Sequence, residues 1–262
     1  FLKENINKIL SIFILLQPVL DLITGICVNV LNTNVTLGII IRILFLAILM
    51  YITVFIYKKK ISLWTYLSII FYSCFYLFGI ILYNDGLIFQ EIQGLVRVFY
   101  FPLILISLYD LKDEIKISNM TLITTLIMYL VFIFIPITLN IGFKSYQITK
   151  SGTLGFYNSA NEISGIISLL TPILFILLKE KGKYLLKGIL LLVYLIVILT
   201  IGTKTPLLSL GITIGMSFLY YLYHCIKKKT YKPIIYTGTL ILVGLCSLIL
   251  VLPKTNFYKN IE

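Results

Sequence analysis

The sequence predicts an all-α fold, a polytopic bundle of about nine transmembrane helices with the N-terminus inside. Three observations predict it. Of 262 residues, 60% are hydrophobic and only 12% charged, whereas a soluble domain is about 45–50% apolar and about 25% charged. Nine apolar runs approach or exceed the roughly 20 residues that a spanning helix needs. Finally, the lysines divide unequally between the two sides that alternation of those runs creates.

The runs lie at about 9–31, 36–57, 63–83, 92–109, 120–142, 163–178, 185–201, 206–225 and 234–252. The fourth and sixth are among the shortest. Helix is the only reasonable state for all nine, because backbone groups in hydrocarbon must pair within their own segment and nothing alternates as a barrel strand would. The connections are too short to fold separately, so residues 1–262 read as a single transmembrane helical domain. Lacking an initial methionine and stopping in a polar stretch at Glu262, the chain reads as a fragment. Tyrosines and Trp64 near several run ends suit interfacial anchoring.

With the N-terminus in the cytoplasm, the inner side receives Lys3, Lys8, Lys58, Lys59, Lys60, Lys112, Lys116, Lys179, Lys181, Lys183, Lys187, Lys227, Lys228, Lys229 and Lys232. The outer side receives only Arg97, Lys144, Lys150, Lys204, Lys254 and Lys259. That asymmetry sets the orientation. It also gives the net charge of +12 a membrane explanation rather than a nucleic-acid one. Cys27, Cys74, Cys225 and Cys246 lie in or beside apolar runs without the spacing of a zinc or redox site. No metal or cofactor site is expected. His224, the only histidine, falls at the cytoplasmic end of the eighth run and cannot complete a catalytic set on the outer face.

Charges inside the runs carry more information. Asp21 sits mid-span, three residues after Pro18, where an unpaired carboxylate would cost about 2.5–3.5 kcal/mol. Arg42 is on the second span. Counted back from the short loop that joins these two spans, Asp21 lies about 15 Å deep and Arg42 about 10 Å deep. An Asp21–Arg42 ion pair locking two helices together is therefore expected.

Arg97 falls near the outer end of the fourth run. The longest external connection, Phe143 to Glu162, ends in Thr153-Leu-Gly-Phe-Tyr-Asn-Ser-Ala-Asn-Glu162, dense in hydrogen-bonding side chains. Asn161 or Ser159 can cap the helix that follows, with Glu162 in its first turn, favourable to the dipole. Capping leaves Gly155, Tyr157 and Asn158 unexplained.

Between the seventh and eighth runs, Thr200-Ile-Gly-Thr-Lys-Thr-Pro-Leu-Leu208 presents Lys204 among the hydroxyls of Thr203 and Thr205. A lysine there either snorkels to the interface or meets a phosphate. The stretch lacks the adjacent Gly-Lys and first glycine of a nucleotide-binding loop. A cup holding Arg97, the Asn-rich loop and Lys204 would suit a lipid-linked diphosphate bearing a sugar. Arginine grips phosphate bidentately, lysine acts as a point charge, and amides reach sugar hydroxyls.

Leu16-Gln-Pro-Val-Leu-Asp-Leu-Ile-Thr-Gly25, Gly155-Phe-Tyr-Asn-Ser-Ala-Asn-Glu162 and Ile201-Gly-Thr-Lys-Thr205 resemble the O-antigen ligase and O-antigen polymerase superfamily of polytopic membrane proteins. The resemblance implies an enzyme of the cytoplasmic (inner) membrane that handles undecaprenyl-diphosphate-linked glycans at the outer leaflet. The expected partners are that lipid-linked glycan, a glycan acceptor and the bilayer, with no nucleic acid. Reaction is by metal-independent, cofactor-free inverting glycosyl transfer, the lipid diphosphate leaving under fixed cations.

Lys204 stands where family members commonly carry an arginine or lysine after a Gly/Ser/Thr-rich turn, and so resembles their diphosphate-contacting cation. Lys204 and Arg97 would then bind the diphosphate, and Asn158, Asn161, Glu162, Thr203 and Thr205 would shape the sugar site. The resemblance also implies a large extracytoplasmic loop after the later spans, beginning near Pro253 and bearing a histidine or arginines for acid–base and phosphate duty. This chain would be truncated before that loop, so no catalytic residue is assigned here and the fragment alone is expected to be inactive. Polymerase is preferred to ligase. The alternative class is a transporter or flippase of lipid-linked glycans, which would place charges through both leaflets and show paired broken helices. A non-catalytic scaffold would make no demand on Lys204.

Overall fold

In lipid these apolar segments can satisfy their N–H and C=O groups only along their own length. The computed structural model, which describes residues 2–32, 37–83, 88–145, 152–179, 182 and 184–227, is accordingly helical, and its described residues pair as β structure only in one bridge, Lys144–Thr153. The helices are α1 (Leu2–Asn29), α2 (Leu37–Tyr51), a π-helical continuation (Ile52–Ile56), α3 (Lys60–Tyr83), α4 (Ile88–Asp110), α5 (Asn119–Thr138), α6 (Ala160–Lys179), α7 (Tyr184–Ile201) and α8 (Thr205–Lys227). The chain is a multi-pass membrane protein.

Among the described residues seven helical segments are long and apolar enough to cross a bilayer: Asn5–Asn29, Gly38–Ile56, Ser62–Leu82, Asn119–Thr138, Ala160–Leu178, Tyr184–Ile201 and Thr205–Lys227. α4 occupies the fourth apolar run and starts four residues before it. The ninth run, at 234–252, lies outside the described residues. Helix α1 begins well before its apolar run and takes in Pro18, which a transmembrane helix tolerates when neighbours re-satisfy the freed carbonyl.

The helices gather into two compact units, one of residues 1–14 and 35–118, the other of residues 15–34 and 119–262. The first unit is centred on Ile6, Leu10, Phe45, Leu49, Ile52 and Leu111, spaced to present one face of each helix. α3 and α4 are tied by hydrogen bonds: Ser62 donates to Asp110, Tyr66 bonds Ser107, and Tyr76 donates to Glu91 at 2.8 Å. The Ser107 hydroxyl already donates to the Leu103 carbonyl, so Tyr66 must be the donor in its pair. The π turn closes with the Tyr57 N–H on the Ile52 carbonyl at 3.0 Å, and Lys58 then ends it in the left-handed region.

The second unit has a larger core. Leu126, Tyr129, Leu130 and Ile133 of α5 pack with Ile163, Ile167 and Leu174 of α6, Tyr194, Val197, Ile198 and Ile201 of α7, and Leu210 of α8. Polar pairs cross this core, as expected where lipid gives helices no hydrophobic reason to associate. Tyr194 bonds Thr171 at 2.7 Å and Ser209 donates to the Ser168 carbonyl at 2.7 Å. Outward-facing residues such as Leu169 and Leu185 stay exposed, as lipid-facing side chains do.

Candidate functional site

The segment from residue 152 to residue 159 is fastened at one end of the second unit. Leu154 and Phe143 pair back to back, with Leu154 N–H on the Phe143 carbonyl at 2.9 Å and Phe143 N–H on the Gly155 carbonyl at 2.6 Å. The Thr153 N–H donates to the Thr200 carbonyl of α7 at 3.0 Å. Irregular backbone is tolerated near lipid only when other protein groups satisfy it, and here the loop finds partners in both neighbours.

Two glycines set how closely it lies. Gly155 has φ +64°, and a Cβ there would fall 2.6 Å from the Phe132 carbonyl oxygen of α5. A Cβ on Gly25 of α1 would fall 2.0 Å from the Phe156 carbonyl oxygen. No other residue fits either place without displacing backbone.

Tyr157, unexplained by capping, is buried and makes the loop's deepest contacts. Its hydroxyl donates to the Pro18 carbonyl at 3.3 Å, and its ring sits 5.5 Å from that of Tyr129. Tyr129 in turn donates to the Asp21 carboxylate. Burial first, and then the nearby Asp21 charge, push the Tyr157 hydroxyl above the ordinary tyrosine range. It is a committed donor.

Asn158, next in the chain, is exposed, and Asn29 donates to its side-chain oxygen at 3.1 Å. Pro18, Asp21, Gly25 and Asn29 therefore form one stripe of α1, at spacings of three, four and four, along which the loop is laid.

Ser159 caps α6: its hydroxyl accepts the Glu162 N–H at 3.4 Å and its carbonyl accepts the Ile163 N–H at 3.2 Å. Of the two expected caps, the structure uses Ser159. Asn161 and Glu162 stay exposed in the first turn. One turn on, Ser164 hydrogen-bonds Thr203, and both are buried. Thr203 is thus a fastener between the α7–α8 turn and α6, whereas Thr205 is exposed.

Lys204 is also exposed, and its carbonyl accepts the Leu208 N–H at 3.0 Å, which makes it the N-cap residue of α8. Its ammonium is therefore carried at the positive end of a helix, the reverse of what the dipole favours. The Ser164–Thr203 and Ser209–Ser168 contacts set the N-terminal ends of α6 and α8 side by side.

The structure thus brings Asn158, Asn161, Glu162, Thr203, Lys204 and Thr205 to one end of the second unit. Arg42 on α2 and Arg97 on α4 belong to the first unit, and the Arg97 side chain lies outside the described residues. Sequence reading missed Asn29, Tyr129 and Ser164. For Asn29 the signal was present, as the continuation of the Asp21–Gly25 spacing.

The Asn29–Asn158 bond also bears on topology. It puts residues 29 and 158 on one side of the membrane, which requires an even number of crossings between them. α2 with its π turn, α3 and α5 supply three, so α4 must be the fourth.

The family described as O-antigen ligase like membrane protein matches the chain over residues 3–262. No curated protein and no solved structure matches it.

Proposed function

The chain belongs to the O-antigen ligase like membrane protein family, proteins of membrane polysaccharide ligation and polymerisation, and from that premise we propose that it takes part in glycosyl transfer from an undecaprenyl-diphosphate-linked glycan on the outer leaflet of the cytoplasmic membrane. Polymerisation is preferred to ligation. An acceptor hydroxyl attacks the anomeric carbon, the bond from that carbon to the diphosphate oxygen breaks with inversion, and the lipid diphosphate leaves.

Lys204 neutralises the departing diphosphate. The observation that carries this is its place at the N-cap of α8. There an anion would meet the ammonium, the positive end of the dipole and the first-turn N–H groups of Thr205 and Leu207 together. Arg97 adds a second, bidentate grip. Asn158, Asn161 and Glu162 shape the sugar site, with Thr205 at its rim and Thr203 behind it.

In this reading Asp21 and Arg42 are an ion pair. If so, Asp21→Asn and Arg42→Gln each lower the amount of protein in the membrane, and the double variant lowers it no further than the worse single one. Fully additive losses would argue against pairing.

The test of the site is Lys204→Gln in the full-length protein. The expected result is loss of long glycan chains, accumulation of lipid-linked repeat units and a transfer rate lower by about tenfold or more, at normal protein level. Unchanged polymer at that level would retire the assignment.

A further inference from the structure

Asp21 and Tyr129 are far along their helices from Lys204 in sequence, and nothing in the transfer chemistry above uses them. Yet their contacts converge on the loop. Tyr129 donates to Asp21, which lies one helical turn from Pro18, and the Pro18 carbonyl receives the Tyr157 hydroxyl. The Tyr129 ring backs the Tyr157 ring at 5.5 Å. Tyr157 is followed directly by Asn158, whose partner Asn29 is two turns beyond Asp21 on the same stripe of α1. A carboxylate at mid-span is costly unless bonded, and a hydroxyl donor answers that need. The same bond fixes the rotamer of Tyr129 and so the wall against which Tyr157 stacks.

We propose that Asp21 and Tyr129 are positioning residues: the bond between them sets the depth of Tyr157, and through it the placement of Asn158 and the start of α6 beside the Lys204 turn. What the placed loop does rests on the transfer reading above, while the placement itself does not. Removing the Tyr129 hydroxyl therefore frees the loop without touching the exposed residues.

The experiment places a reporter cysteine at Ala160, buried at the loop's exit, in a full-length protein whose own cysteines are replaced. Reaction with a membrane-impermeant maleimide is followed in membranes, normalised to protein amount. With the loop held, Cys at position 160 is protected. Tyr129→Phe and Asp21→Leu should raise its labelling rate about fivefold, the population change that loss of one buried hydrogen bond allows. Asp21→Asn keeps an acceptor oxygen for Tyr129 and should stay within about twofold of the parent.

Equal labelling in parent, Tyr129→Phe and Asp21→Leu would overturn the proposal. So would equal increases in Asp21→Asn and Asp21→Leu, since charge rather than the bond would then be at work. If Tyr129→Phe does not accumulate, Tyr157→Phe, which deletes only the bond to the Pro18 carbonyl, is measured against the same criterion. Glycan chain length in the same cells separates the two ideas. Labelling that rises while Lys204→Gln leaves polymer unchanged supports the positioning and rejects the transfer site.

Discussion

In the first unit the long-range polar contacts run mainly helix to helix: Ser62 to Asp110, Tyr66 to Ser107 and Tyr76 to Glu91 tie α3 to α4. The second unit has such contacts too, Thr171 with Tyr194 and Ser209 with Ser168. It adds a denser set on one loop: Thr153 with Thr200, Tyr157 with Pro18 and Asn29 with Asn158 all hold the non-helical segment before α6, where the first unit shows the Lys116 N–H on the Asn7 side-chain oxygen at 2.7 Å. Helix pairs in a membrane need a few polar contacts to associate. A fixed loop at the membrane boundary needs many more, because every bond it lacks is one it cannot recover from lipid. The difference separates fasteners that stabilise from fasteners that place residues.

The sharpest way to break this comparison is to put a side chain where the loop meets α1. Gly25→Ala brings a methyl group to within 2.0 Å of the Phe156 carbonyl oxygen, so the loop or the helix must move. Overpacking against backbone costs about 1–3 kcal/mol and sometimes more; we expect at least about 3 kcal/mol here and loss of activity. Gly79→Ala on α3 meets nothing within 4 Å and is expected to gain a few tenths to about 1 kcal/mol from helix propensity. Thermal unfolding of the purified protein in detergent measures both. Similar losses at the two glycines would end the distinction between units.

A subtler pair sharpens it. Ser164→Ala leaves the buried Thr203 hydroxyl without its partner, and Ser62→Ala removes the donor to Asp110. Each should cost about 1 kcal/mol, the scale of one hydrogen bond. Their effects on transfer should differ. Ser164→Ala loosens the turn that carries Lys204 and should lower transfer several-fold, whereas Ser62→Ala should leave transfer per folded molecule unchanged. Polymer length normalised to folded protein checks it.

Much of this was legible in advance. Composition and run length give the helical membrane class because lipid leaves no other backbone solution, and Gly155, Tyr157 and Asn158 drew attention by exceeding what a cap requires. The choice of Ser159 over Asn161 as cap was not legible, since both suit the role and only backbone geometry decides between them. Among candidate partners of Asp21 the sequence ranks charges first, where Coulomb attraction is largest. The structure records a tyrosine hydroxyl on it, contributed by a helix 108 positions away, and sequence spacing cannot report such a contact. The Ser164–Thr203 bond was hidden for the same reason: two ordinary hydroxyls acquire meaning only when packing removes them from water.

The smallest expected effect concerns Tyr157 and alkaline pH. An ordinary tyrosine ionises near pH 10; burial, and then the Asp21 charge, raise this one in the folded protein. Below about pH 10 the hydroxyl is protonated folded and unfolded alike, so its contribution to stability is fully present and independent of pH. Above that, the unfolded chain releases the proton while the folded chain retains it, and stability falls as pH rises. The slope through this one group is at most about 1.4 kcal/mol per pH unit, so the loss between pH 10 and pH 10.5 is about 0.5 kcal/mol. The other tyrosines titrate over the same range, so the informative quantity is the difference between the parent and Tyr157→Phe. That variant is less stable at pH 8, and the gap should narrow as pH passes 10 because the parent alone loses the protonation advantage. A gap that stays constant or widens would mean that Tyr157 is not held as a buried donor, and the loop would then lack the anchor that distinguishes the second unit from the first.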